Sequence, residues 1–155
     1  MKIDETDRRI LALLQENADL SVAEIGTRVG LSSTPCWRRI QNLEKQGVIR
    51  KKVALLDRRA IDVPLTVFVM IRTSQHNDSW LEKFAKGVSE IPEVLEFYRM
   101  SGTVDYLLRI VVPSVETYDA VYKRLISIAD LAEVSSSFAM EEIKYTTALP
   151  LGYAG

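Results

Sequence analysis

The sequence predicts an α+β protein in two modules, a helical one followed by an antiparallel β-α-β-β-α-β sandwich. Two observations carry this. Apolar residues recur at helical spacing up to about residue 46, whereas from residue 65 β-prone runs alternate with helical ones. Charge divides at nearly the same place: residues 1–56 carry a formal +3 and residues 57–155 carry −4, giving the net −1. A chain of 155 residues has room for two small domains, and 47 % hydrophobic content is globular rather than disordered.

Asp4 with Asp7 opens the first helix, since acids in the first turn favour the positive helix end. Ile3, Ile10, Leu13 and Leu14 give it one buried face, and "NADLS" ends it. Ser21 with Glu24 has the spacing of a capping box. Val22, Ile25 and Val29 line one side of that second helix, and Gly30 stops it. The third helix opens with Thr34 as cap and Pro35 at the first helical position. It runs to about Gln46, with Gly47 closing it. At 100° per residue Cys36, Ile40 and Leu43 face inward, while Thr34, Arg38, Asn42 and Lys45 face outward, with Gln41 and Arg39 at the margins. "GVIRKKVALLD" reads as a pair of short strands or a strand with a tight return, a wing with its basic triplet exposed. Trp37, on the flank of the third helix, is expected to pack against that wing. Residues 1–57 therefore form a winged helix-turn-helix.

Residues 58–64, "RRAIDVP", form the linker, since Pro64 imposes an extended approach to the next element. "LTVFVMIRT" is then a strand. "DSWLEKFAKGVSEI" sets Trp80, Phe84, Val88 and Ile91 at helical spacing. "VLEFYRMSG" and "VDYLLRIVV" are strands around a Gly-Thr turn. Val115, Tyr118, Tyr122, Leu125 and Ala129 lie on one helical face, and "EVSSSFAMEEIKYTT" is a long final strand. Residues 65–155 thus follow the ferredoxin-like plan, one sheet with two helices on one face. The other sheet face keeps large apolar side chains, which argues for self-association.

Cys36 is the only cysteine and His76 the only histidine. Neither an internal disulfide nor a Cys/His metal set is available, and nothing points to a nucleophile–His–acid triad. The N-terminus has no apolar signal core and no run reaches membrane-spanning length, so the chain is expected in the cytoplasm without a membrane partner.

Within residues 28–52, seven basic groups stand against Glu44 alone. A basic helix face can be merely solvated, and helix-turn-helix units also bind proteins. Charge, caps, turn and wing together favour double-stranded DNA. The third helix then enters the major groove, where Arg38 suits a guanine and Gln41 or Asn42 an adenine. Ser32, Ser33 and Thr34 are short donors for phosphates, and Arg39 and Lys45 add cations. Arg50, Lys51 and Lys52 supply salt-sensitive, sequence-independent affinity. An architectural protein that coats or bends DNA without an effector is the alternative. An enzyme on the C-terminal module is disfavoured, since apart from Asp105 no paired acid/base set and no metal site stands near the turn at residues 100–106.

The stretch from Ile3 to Asp57 resembles the Lrp/AsnC (feast/famine) family of transcription regulators. The carriers are "D.D..IL..LQ", "LS.TPC..R...LE..G.I" and "G..DYLL", and the likeness continues through "SSFAMEEIKYTTALPL". The resemblance implies a C-terminal RAM domain, dimers built through the sheets, and assembly to tetramers, octamers or higher forms. It also implies no cofactor but a non-covalent amino-acid effector held between dimers. Its contacts correspond to the turn "MSGTVDY" (Met100, Gly102, Thr103, Asp105, Tyr106) and to Ser136, Ser137 and Phe138 on the last strand. The N–H groups of Gly102 and Thr103 suit an α-carboxylate, and Asp105 suits the ammonium. On the residues alone, Gly-Thr can equally be a plain hairpin turn with Asp105 flanking it. Where the family often has Gly-Tyr after the third helix, this chain has Lys51-Lys52. "TPCWRRI" and the C-terminal stretch look most like a subgroup associated with cysteine and sulfur amino-acid metabolism.

Overall fold

A computed structural model describes residues 3–155. They fall into two compact units: the first runs to Leu55 and takes up Lys144–Gly155, and the second is Leu56–Ile143.

In the first unit α1 spans Glu5–Glu16, α2 Val22–Val29 and α3 Ser33–Lys45. Asp4 accepts from the Asp7 N–H at 2.8 Å and Asp7 accepts from the Asp4 N–H at 3.3 Å, a reciprocal cap on α1. The Ser21–Glu24 box opens α2, and Gly30 ends it in the left-handed conformation at φ 78°. Helix α3 begins earlier than expected: Ser32, not Thr34, is the cap residue, and Pro35 is the third helical residue. The first intrahelical donor is Cys36 N–H, to the Ser32 carbonyl. Any position ahead of that donor lacks an N–H partner, so proline is tolerated at the third as well as the first. Ile10, Leu11, Ile25, Val29, Cys36, Ile40 and Leu43 form the core, with Leu13 and Leu14 only partly buried at its edge. Burial raises the Cys36 thiol pKa, as befits a core residue.

The expected pair of wing strands is not formed. Val48 and Ile49 donate to the Leu43 carbonyl, and Ile49 packs on the core. Residues 50–57 then carry no strand, and Val53 and Leu55 stay 59 % and 65 % exposed. Among the described residues this segment has no ladder partner, so its β-propensity goes unused. Trp37 has nothing to pack against there and is 52 % exposed, beside Val22, Ser33 and Thr34 in a shallow depression.

The second unit contains β1 (Leu65–Arg72), α4 (Asp78–Ser89), β2 (Val94–Arg99), β3 (Tyr106–Val112), α5 (Val115–Ile128) and β4 (Glu133–Phe138). The sheet is antiparallel with order β2-β3-β1-β4, as the ferredoxin-like plan requires. Alternation along β1 and β3 turns Val67, Val69, Ile71, Leu108, Ile110 and Val112 toward the helices. Phe84 and Val88 of α4 and Tyr118, Val121 and Leu125 of α5 close this core. The opposite face presents Phe68, Met70, Leu107 and Tyr98, with Arg109 paired to Glu96 at 2.8 Å.

Two expectations about connections change. The segment 58–64 is no free spacer: Arg58 bonds the Thr66 hydroxyl and pairs with Glu142 at 2.7 Å, and Val63 N–H returns to the Arg58 carbonyl. The last strand stops at Phe138, and the end of the chain does not stay with residues 65–143. Gln15 grips the Leu149 backbone through both its N–H (2.7 Å) and its carbonyl (3.1 Å), and Arg8 donates to the Ala154 carbonyl. Leu151, in a short 3-10 turn, packs on the core of the first unit.

Candidate nucleic-acid interface and ligand site

The outward side of α3 holds Thr34, Arg38, Gln41, Asn42 and Lys45, all exposed, as the helical spacing predicted. Ser32 and Ser33 stand exposed at its start, where helix N–H groups suit phosphate oxygens. Among the described residues Arg38, Lys45, Arg50 and Lys51 make no ion pair, so four cations are available to an outside anion. Gln41 donates to Glu44 at 2.9 Å, and Asn42 accepts from Gln46 at 2.8 Å. Both amides are therefore oriented by neighbours one turn on, and Gln41 keeps its carbonyl oxygen for base edges.

Two of the expected contacts are otherwise engaged. Lys52 pairs with Glu44 at 2.9 Å. Arg39 turns away from the exposed face and joins Asp4 and Asp7 at 2.7 and 2.8 Å. Those carboxylates, far earlier in the chain, gave no sequence signal of a partner on α3. Hydrogen bonds to Asp4 and Asp7 raise the Arg39 pKa, and the Asp7 N–H followed by Arg39 lowers that of Asp4.

In the second unit the β2–β3 connection spans residues 100–105. Met100 N–H donates to the Asp105 carbonyl, Asp105 N–H donates to the Ile71 carbonyl, and Gly102 takes φ 116°. Among the described residues the N–H groups of Gly102 and Thr103 have no protein acceptor. Asp105 is partly committed: one carboxylate oxygen accepts from Thr73 N–H at 2.8 Å, bracing the turn against the end of β1. Thr73 was not legible as a member of this site, because the contact uses its backbone.

Tyr106 does not line the turn. It is buried among Trp80, Phe84 and Phe97, with ring centroids 5.6–5.9 Å away. Ser136, Ser137 and Phe138 also do not act together. Ser136 and Phe138 face the helices, where Ser136 bonds the Tyr118 hydroxyl and Phe138 meets the Tyr118 ring edge-on at 5.4 Å. Ser137 lies opposite Phe68 on the outer face. Strand β4 is two strands from β3, and Ser137 is three residues along from the level of Tyr106. Turn and serine are thus about 10 Å apart in each of two directions. Within one chain they form no common pocket.

Comparison with known proteins matches two parts of the chain to two family profiles. Residues 3–50 match a family profile described as winged helix-turn-helix DNA-binding, and residues 66–149 match the Lrp/AsnC ligand binding domain. The chain is 49 % identical to the DNA-binding transcriptional activator DecR of Escherichia coli (strain K12), over 96 % of this chain and 99 % of that protein. It is similar to a crystal structure of an AsnC family transcriptional regulator from Agrobacterium tumefaciens, at 59 % identity and TM-score 0.94 over 97 % of this chain and 98 % of that one. A transcriptional regulator from Neisseria meningitidis, crystallised as a complex with L-Met, is 37 % identical with TM-score 0.92 and the same coverage.

Proposed function

The chain belongs to the Lrp/AsnC family, and from that premise we propose how its two units divide the work of a DNA-binding transcription regulator. It is a regulator and not an enzyme. The outward face of α3 enters the major groove, with Arg38 as the principal base-reading residue and Gln41 and Asn42 beside it. Arg50 and Lys51 hold phosphates. The observation that carries this reading is Arg38 itself, exposed at the centre of that face without an ion pair. Arg38→Ala is expected to lower the preference for operator over random DNA by roughly 5- to 150-fold, the worth of one bidentate base contact. An unchanged preference would leave only a protein that coats DNA.

The second unit assembles the regulator and responds to an amino acid. Copies pair through the outer sheet face, where Phe68 and Tyr98 are 37 % and 50 % exposed in a single chain. The Gly102 and Thr103 N–H groups hold the effector α-carboxylate, and the second oxygen of Asp105 accepts from its ammonium. Residues of β4 reach this turn from another copy, since one chain keeps them apart. A sulfur amino acid is the effector we favour, supported by the L-Met complex of the Neisseria meningitidis regulator. Calorimetric titration with L-Met, L-Cys and L-Leu tests this. Binding of a sulfur amino acid that Asp105→Asn abolishes is the expected result, and indifference to every amino acid sinks the effector half.

A further inference from the structure

We infer that Arg39 is a positioning residue, which fixes the angle of α3 against α1 by bridging Asp4 and Asp7 and makes no contact with DNA. This rests on the reading of α3 as the DNA-contacting helix.

The anchor is built before Arg39 reaches it. In each carboxylate one oxygen serves the helix cap: Asp4 Oδ1 accepts from Asp7 N–H, and Asp7 Oδ2 accepts from Asp4 N–H. The remaining oxygens, Asp4 Oδ2 and Asp7 Oδ1, both accept from Arg39 Nη1. The acids are therefore held by the backbone of the α1 cap, and the Asp7 side chain is only 11 % exposed. Beyond this bridge, α1 and α3 both contribute to one apolar core, Ile10 and Leu11 from the first and Cys36, Ile40 and Leu43 from the second. Such contacts are non-directional and leave the helices free to slide by fractions of an ångström. Charged hydrogen bonds of fixed geometry remove that freedom.

Position within α3 argues the same way. Arg39 lies 100° around the helix from Arg38, at the margin of the outward face, and its guanidinium points to α1. Electrostatics adds a second argument. Two carboxylates on a module that approaches a polyanion cost affinity by repulsion, and Arg39 neutralises only one of their two charges. The acids themselves repel DNA, so a loss of selectivity on removing one of them comes through geometry. Base-reading side chains tolerate only about 0.5 Å and 10–20° of misplacement.

The test uses the full chain and a duplex that the wild-type chain selects from a random pool, with a scrambled duplex of equal length as reference. Affinities are measured over a range of salt concentrations for Arg39→Ala, Asp7→Asn, the double variant and Arg38→Ala. The asparagine keeps a capping oxygen for Asp4 N–H, so α1 retains its start. Arg39→Ala is expected to lower the selected-over-scrambled ratio by about fivefold or more, with the salt slope unchanged. Asp7→Asn is expected to lower the same ratio, although it removes a negative charge from a DNA-binding module. The double variant is expected to be no worse than the worse single one.

A slope reduced by about one in Arg39→Ala makes Arg39 a phosphate contact and overturns the inference. Equal losses on both duplexes reduce it to a stability role, and tighter binding by Asp7→Asn overturns it as well. Failure of Arg38→Ala to change the ratio removes the DNA-contacting reading of α3, and the inference falls with it.

Discussion

Gly26 sits in α2 facing the turn into α3, and its replacement by alanine sets two known effects against each other. A Cβ there would lie 2.7 Å from the Leu31 carbonyl oxygen, 3.5 Å from the Ser32 carbonyl oxygen and 3.6 Å from Cys36 Cβ. Carbon and carbonyl oxygen approach comfortably to about 3.3 Å, so the turn has to yield by roughly half an ångström. It is poorly able to do so, because Leu31 N–H donates to the Gly26 carbonyl at 2.8 Å and holds the turn to the same residue. Helix propensity favours alanine by up to about 1 kcal/mol. Overpacking of a tight contact costs about 1–3 kcal/mol. The net expectation for Gly26→Ala is a loss of about 1 kcal/mol, with the start of α3 displaced and DNA selectivity reduced. Urea unfolding monitored by tryptophan fluorescence measures the first quantity. The chain has two tryptophans, so a Trp80→Phe background leaves Trp37 to report on the first unit alone. Trp80 suits that exchange, since its indole N–H is buried without a partner. An unchanged or raised midpoint would show that propensity outweighs the contact, and the turn would then be looser than its hydrogen bond implies.

Phe84 is fully buried and meets Trp80, Phe97 and Tyr106 at centroid distances of 4.9–5.6 Å, so Phe84→Ala should cost about 3–5 kcal/mol in urea unfolding of the second unit. Lys51→Ala should weaken binding to all DNA alike and reduce the salt slope by about one, read from binding isotherms at several salt concentrations. The hydrogen bond from Arg109 holds the Glu96 carboxyl below the usual glutamate range. A folded pKa lowered in this way contributes stability that is fully present above the unfolded value and is lost as pH falls through the folded one. Urea midpoints at about pH 7 and about pH 4 should therefore fall less in Glu96→Gln than in the wild type.

Local rules expressed within a few residues were legible in the sequence. Ser21 with Glu24 announced its cap, Asp4 with Asp7 announced the start of α1, and β-prone runs alternating with helical ones announced the sheet. The exposed face of α3 came from helical spacing alone. What failed was long-range or cooperative. The start of α3 was misplaced because proline satisfies several first-turn positions equally, which leaves Ser32 and Thr34 indistinguishable as caps. The wing was expected from β-propensity, but strands need partners, and residues 50–57 have none among the described residues. Ser136 and Ser137 were grouped at one site, and alternation turns them to opposite faces of the sheet. The ion pairs of Arg39 and the grip of Thr73 on Asp105 span 32 residues or more, and no local pattern encodes them.

The return of the chain's end to its first helix has a consequence for the order of synthesis. Gln15 and Leu149 are 134 residues apart, and at about 5–20 residues per second a ribosome needs roughly 7 to 27 seconds to add the residues between them. Throughout that interval the DNA-reading unit exists without Leu151 in its core and without the clasp on α1, whereas the whole sheet has been made before the clasp can close. A message cut short anywhere before residue 149 yields a reader that is never finished. Completion of the part that touches the genome is thereby made to wait for the part that governs it.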